Sequence, residues 1–314
     1  MKAKLTKTNS ECAFTRAGQL ISMAIFAAAI LTCSCASAQN LFVSGRDANG
    51  GEIFKFTWDG RQSIFASGLY QPSALAFDSA GNLFVVDYMI LGDVRGNAAV
   101  YKITPTGGQT ILASGLSYAS SLAIDKMGNV FVADYDNGVI YQYKPTGSRA
   151  TFASGLNHPK GLALDSQNNL FVADSSIGNL YQGSIYEYKP NGLRVTFADL
   201  NPGDRPAGLA FDNMGNLFMA DLGGNVYKYD TSGVLRRYSR TTFGAVPTSA
   251  QSLAFDSAGN LLVVDTGGVN ASGTASPNAI YKFTSLGTRS MFESGLALSE
   301  SFACVAFQPI ACCQ

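Results

Sequence analysis

The chain has 314 residues, of which 46% are hydrophobic and 14% charged, with 22 basic residues balanced by 22 acidic ones. Neither the balance nor any local run supplies the basic stripe that neutralises phosphates, which excludes a nucleic-acid-binding role. The longest apolar run, Leu20 to Leu31, is about a dozen residues, shorter than the roughly 20 that a membrane span requires.

Lys2, Lys4, Lys7 and Arg16 precede that run, and Ala36-Ser37-Ala38 follows it. This is the order of a secretory signal peptide: basic, apolar, then small residues at the cleavage site. Residues 1–38 are therefore expected to be removed, leaving a secreted or periplasmic domain of residues 39–314 with no membrane span. An uncleaved anchor, or a lipoprotein formed through Cys33 or Cys35, is the alternative. Removing four basic residues and Glu11 leaves 18 basic and 21 acidic residues, a mildly acidic domain. Of the cysteines Cys304, Cys312 and Cys313 remain, an odd number that cannot all pair within one chain. A bond from Cys304 to Cys312 or Cys313 and a buried, unbridged Cys304 both fit.

The rest of the chain repeats itself, and repeats of this length signal a stacked or radial architecture. Leu75 to Asp87 reads LAFDSAGNLFVVD, and the unit returns at Leu122, Leu162, Leu209 and Leu253. Each copy is two short apolar strands around a turn, with Asp at the first turn position and Gly at the fourth, where positive φ is needed. Asn168 stands in for Gly once, and Asn is among the few residues that tolerate that conformation. A third strand follows at Ile53, Val100, Ile140, Ile185, Val226 and Ile280. A fourth follows as SIFASGL, TILASGL, TFASGL, VTFADL and SMFESGL, with a weaker one from Leu235. Four antiparallel strands repeated around an axis make a propeller blade.

Five complete inner hairpins against six third strands leave a mismatch that the ends resolve. Asn40–Ser44 (NLFVS) is a second strand lacking its first, and Phe302–Gln308 (FACVAFQ) a first strand lacking its second. Pairing them closes the ring and removes its open edge. The expected fold is an all-β, six-bladed propeller whose last blade joins the two termini.

The pattern P-x-G-L-A-x-D-x-x-G/N-N-L-F-V/M-A-D, in Pro159–Asp174 and Pro206–Asp221, resembles NHL repeats and the gluconolactonase-like, TolB-like propellers. In the lactonase branch the resemblance implies a divalent cation at the channel top, held by a Glu and by the middle residues of P-N-G and P-D-G motifs. Here the matching positions carry Lys160 and Ala207, and no clear Glu ligand is in register. Calcium requires six to eight oxygens, so no metal or other cofactor is assigned, calcium being kept only as the alternative. The streptogramin-type lyases of the same superfamily rely on histidines, of which this chain has one, His158.

Residues that recur in every blade serve what every blade needs. Asp87, Asp134, Asp174, Asp221 and Asp265 are thus expected to cap loop amides. Residues that break the repeat are the binding candidates: Gln71, Ser73, Tyr118, Ser120, His158, Lys160, Arg205 and Gln251, all at the top-face channel mouth. The connections Tyr88–Ala98, Ser175–Ser184 and Thr266–Asn278 are expected to be long variable loops, where recognition often resides. The preferred reading is a monomeric, non-catalytic propeller that binds a small molecule, a glycan or a protein at this mouth. The alternative is a calcium-dependent lactonase of the gluconolactonase type, and a third reading is a lyase using His158.

Overall fold

Six four-stranded antiparallel sheets stand around a common axis among the described residues of the computed structural model. These are residues 39–47, 50–57, 59–91, 94–175, 183–229, 240–269, 275–276, 278–294 and 304–309. Residues 1–38, Cys312 and Cys313 lie outside them, as do the strand expected from Leu235 and the segment 176–182.

Each inner hairpin forms because its turn is held from one side chain. The carboxylate of Asp78 accepts the amides of Ala80 (3.0 Å) and Asn82 (2.8 Å) and the Asn82 side-chain amide (2.7 Å), while Gly81 takes φ of 80°. The same clamp recurs at Asp125, Asp165, Asp212 and Asp256. Asn168, at φ 63°, occupies the glycine position of its turn and is the non-glycine residue with positive φ among the described residues.

The innermost strands of the five complete blades are Pro72–Phe77, Ala119–Ile124, His158–Leu164, Pro206–Phe211 and Ala250–Phe255. The sixth is Val305–Phe307, which pairs with Leu41–Asp47 in the register Leu41 to Phe307 and Val43 to Val305. The termini thus share a blade, completed by Gly50–Phe56 and Gln62–Leu69. Beyond that ladder the Ser44 amide donates to the Cys304 carbonyl (3.0 Å), and the Cys304 amide donates to Ser44 Oγ (2.9 Å).

The core is a ring of six apolar clusters, each filled from two neighbouring blades, with strand residues such as Val85, Val132, Val172 and Val263 wholly buried. Phenylalanines on the second strands tie the junctions: Phe171 meets Phe197 of its own outer strand edge-on at 5.0 Å and Phe211 of the next blade at 4.9 Å. Phe42 does the same with Phe65 and Phe77 at the closure. Such pairs add about 0.5–1.5 kcal/mol each beyond area burial.

One expectation needs correction, and two others gain detail. The connection Tyr88–Ala98 is no loop: strands Leu83–Leu91 and Val94–Ile103 continue as a ladder, helped by Tyr88, a residue type that favours strands. Within Thr266–Asn278 a small hairpin pairs Gly268–Val269 with Ala275–Ser276. In the fourth complete blade the described outer strand is Arg240–Ala245, paired with Asn225–Tyr229.

Candidate functional site

At the mouth of the channel each complete blade breaks its innermost ladder at the same place. Register shifts fall between Pro72 and Ala74, Ala119 and Ser121, Pro159 and Leu162, Pro206 and Leu209, and Ala250 and Ser252. The residues released from pairing include Ser73, Ser120, Lys160, Ala207 and Gln251. A bulge leaves one residue unpaired and re-aims its side chain; here all five line a cavity of about 370 Å³ on the axis.

Beneath this rim lies a layer of small residues: Ala74, Ser121, Gly161, Gly208, Ser252 and Cys304. Their smallness has two causes. A Cβ on Gly161 would stand 2.6 Å from the Ala207 carbonyl oxygen, so the neighbouring strand leaves no room for a side chain. Where serine is present, its hydroxyl satisfies a neighbouring amide: Leu162 donates to Ser121 Oγ (3.2 Å) and Val305 to Ser252 Oγ (3.3 Å). Below them Leu75, Leu122, Leu162, Leu209, Leu253 and Val305 form a buried apolar floor.

The ring of aspartates does the structural work expected of it. Asp87 accepts the amides of Tyr70 (2.9 Å) and Gln71 (2.7 Å), and Asp174 those of Asn157 (3.0 Å) and His158 (2.8 Å). Asp221 accepts Arg205 (2.7 Å) and Gly223 (2.6 Å). Asp134 takes the more distant amides of Ser117 (3.3 Å) and Tyr118 (3.5 Å). Asp265 takes Thr248 (3.2 Å) and Ser249 (2.9 Å). Burial holds Asp87, Asp174 and Asp221 above the ordinary carboxylate range, outweighing the amides that pull the other way.

Of the eight candidates, Ser73, Tyr118, Ser120, Lys160 and Gln251 line the cavity together. Gln71 is buried, with its side-chain carbonyl lacking a partner among the described residues. His158 packs against Tyr135 with ring centroids 4.6 Å apart, and its Nδ1 is buried without a partner among those residues. Arg205 donates to the exposed Leu222 carbonyl at 3.1 Å and does not line the cavity. Tyr118 stands edge-on between Tyr88 (5.0 Å) and Tyr135 (5.2 Å), so an aromatic row leads from the cavity to His158. Sequence reasoning did not single out Ser252 or Cys304 as cavity residues, since both belong to strand patterns that read as ordinary core. Cys304 is an unbridged buried thiol whose pKa burial pushes up to about 12, which makes it inert as a nucleophile at neutral pH.

Lys160 sets the character of the cavity. It is the charged side chain among the described lining residues, and its ammonium has no ion pair or hydrogen bond among them. Burial, and secondarily the Arg205 guanidinium, hold its pKa below the ordinary lysine value. Ser120 is already committed, donating to the Pro159 carbonyl at 2.7 Å, whereas Ser73 has only a long 3.5 Å contact to the Val86 carbonyl. A calcium ion does not fit this donor set, which offers a cation and no carboxylate. No group of three His, Cys, Asp or Glu among the described residues is placed to hold a metal.

Solved structures share the architecture. A Bacteroides caccae protein of unknown function aligns with a TM-score of 0.60 at 16% identity, over 87% of this chain and 99% of its own. A gluconolactonase from Xanthomonas campestris gives 0.57 at 18%, over 72% and 77%. The virginiamycin B lyase of Staphylococcus aureus gives 0.57 at 14%, over 86% and 92%. At such identities the likeness is one of fold. No curated protein sequence matches this one. In sequence, residues 124–264 match the family model of the SMP-30/Gluconolactonase/LRE-like region, so this stretch of a six-bladed propeller is similar to that family.

Proposed function

We propose that this chain is a gluconolactonase-type propeller whose channel mouth binds a small anionic ligand instead of a catalytic cation. The observation that carries the reading is Lys160, unpartnered among the described residues in a cavity whose lining holds no carboxylate. Charge focused in a concave, low-dielectric mouth attracts the opposite sign. The Ser73 hydroxyl and the Gln251 amide line the same cavity as Lys160 and offer further donors to a carboxylate or phosphate, and Tyr118 adds an aromatic face. The cavity lies within the size range of small-molecule sites. The signal-like residues 1–38 support placing this activity in the periplasm or outside the cell. Closure of the ring through the termini supports a monomer acting on a small molecule, with a glycan or protein as larger alternatives.

Calorimetric titration with malonate tests the proposal. A charge-assisted hydrogen bond contributes about 1.5–3 kcal/mol, so Lys160→Met should weaken malonate at least about tenfold. The competing reading, a lactonase, is favoured by the family match over residues 124–264. Calcium-dependent turnover of any member of a lactone panel would establish that reading and overturn ours.

A further inference from the structure

The cavity holds one more chemical capability than anion binding requires. Its candidate nucleophiles are the serine hydroxyls, the Cys304 thiol and the Lys160 amine. The hydroxyls have no imidazole or carboxylate base in the cavity, because His158 is turned against Tyr135 and no Asp or Glu lines it. The thiol lies against Ser44 Oγ at 3.1 Å in an otherwise apolar setting. The amine differs from both, being on the rim and unpartnered among the described residues. Its backbone is fixed on either side, by Pro159 and by Gly161, which is wedged against Ala207. No carboxylate among the lining residues stabilises its charged form, and Arg205 from the next blade opposes that form. A desolvated lysine beside a second cation is the arrangement that makes an amine a nucleophile.

We propose that Lys160 captures a carbonyl compound covalently, condensing through Nζ with the aldehyde or ketone of a ligand that also carries a carboxylate. The proposal rests on the anion-binding reading for the carboxylate, which the cationic mouth draws in, and adds the carbonyl. The neutral amine attacks the carbonyl carbon, and the oxygen takes a proton to give a carbinolamine. Nitrogen then expels that oxygen as water, which takes up the proton the ammonium had released to solvent on becoming the neutral amine, leaving a protonated imine. The net change is lysine ammonium plus carbonyl to iminium plus one water, with charge conserved and no oxidant or reductant consumed. Because the iminium keeps the positive charge, the ligand's carboxylate retains its counterion.

Reductive trapping tests this on the full chain. The protein is incubated with pyruvate and sodium cyanoborohydride, and the adduct is located by peptide mass mapping. We expect a reduced pyruvyl group chiefly on Lys160, formed about tenfold faster than on the exposed residues Lys126 and Lys144. Malonate should compete, and acetone, which lacks the carboxylate, should trap more slowly than pyruvate. Lys160→Arg keeps a positive charge but cannot condense, so it should lose the adduct entirely while weakening malonate less than Lys160→Met does; its melting curve checks that it is folded. Labelling spread evenly over the lysines, or undiminished in Lys160→Arg, overturns the proposal. If trapping fails while malonate still binds in a Lys160-dependent way, the imine is wrong and the anion site stands. Trapping at Lys160 without any malonate binding supports the imine and overturns the anion site.

Discussion

Two rings of residues run around the mouth of this propeller, one on the innermost strands and one on the strands paired with them. The aspartate ring, Asp87, Asp134, Asp174, Asp221 and Asp265, is uniform and accepts backbone amides in every complete blade. The bulge ring, Ser73, Ser120, Lys160, Ala207 and Gln251, differs from blade to blade and leaves its one cation without a partner among the described residues. The uniform ring maintains the scaffold, and the varied ring is where ligand chemistry can be changed without disturbing it. Repetition in a ring marks what the fold needs, while departures from it mark what the fold is used for.

Damage to the scaffold should have the largest effect. Deleting residues 40–44 takes away the strand that pairs with Val305–Phe307, and with it Phe42 and Val43, which are buried in two of the apolar clusters. We expect aggregation or loss of cooperative unfolding. Equal melting of truncated and intact proteins would refute closure through the termini.

Within the uniform ring, Asp174→Ala leaves the amides of Asn157 and His158 without their acceptor. Stability in denaturant titration should fall by about 2–3 kcal/mol, the usual cost of stranding buried donors. Just below the rim, Gly161→Ala sets a methyl group against the Ala207 carbonyl and should cost about 1–3 kcal/mol by overpacking.

The varied ring should respond with the opposite sign. Lys160→Met removes a desolvated charge and should raise stability by about 1 kcal/mol at neutral pH while weakening malonate at least about tenfold, the trade between stability and function expected at such sites. The pH dependence follows from the lowered pKa. Between the folded-state value and the ordinary lysine value of 10.5, the unfolded chain binds more protons than the folded one, so wild-type stability rises with pH. The advantage of Lys160→Met should therefore shrink across that window. Malonate affinity should fall over the same rise in pH, as the ammonium is lost.

Much of the scaffold was legible because its signals are local. The Asp–Gly turns, with Asn168 as the exception that still reaches positive φ, define the hairpins without reference to anything distant. The unpaired halves NLFVS and CVAFQ announce the closure in the same way. The site was legible only in part. Ser73, Ser120, Lys160, Ala207 and Gln251 stood out only by aligning the repeats, because which residue of an innermost strand is extruded depends on the register of its partner and leaves no mark in a single strand's pattern. The cavity-lining role of Ser252 and Cys304 depends on strands from different blades meeting at the axis. Gly161 and Gly208 did carry a signal, since glycine inside a strand often marks a close backbone approach. The ladder through Tyr88–Leu91 was hidden by the glycines and asparagine that follow it.

Everything proposed for the mouth turns on Lys160 placing a cation, with no carboxylate beside it, in the lining of the axial cavity. Calorimetry on the wild type and on the double variant Lys160→Asn, Ala207→Asp tests that placement most directly, with malonate and calcium titrated separately into each. We expect malonate to bind the wild type and not the variant, and calcium to bind the variant more tightly than the wild type. Calcium binding the wild type as tightly as the variant would contradict the placement.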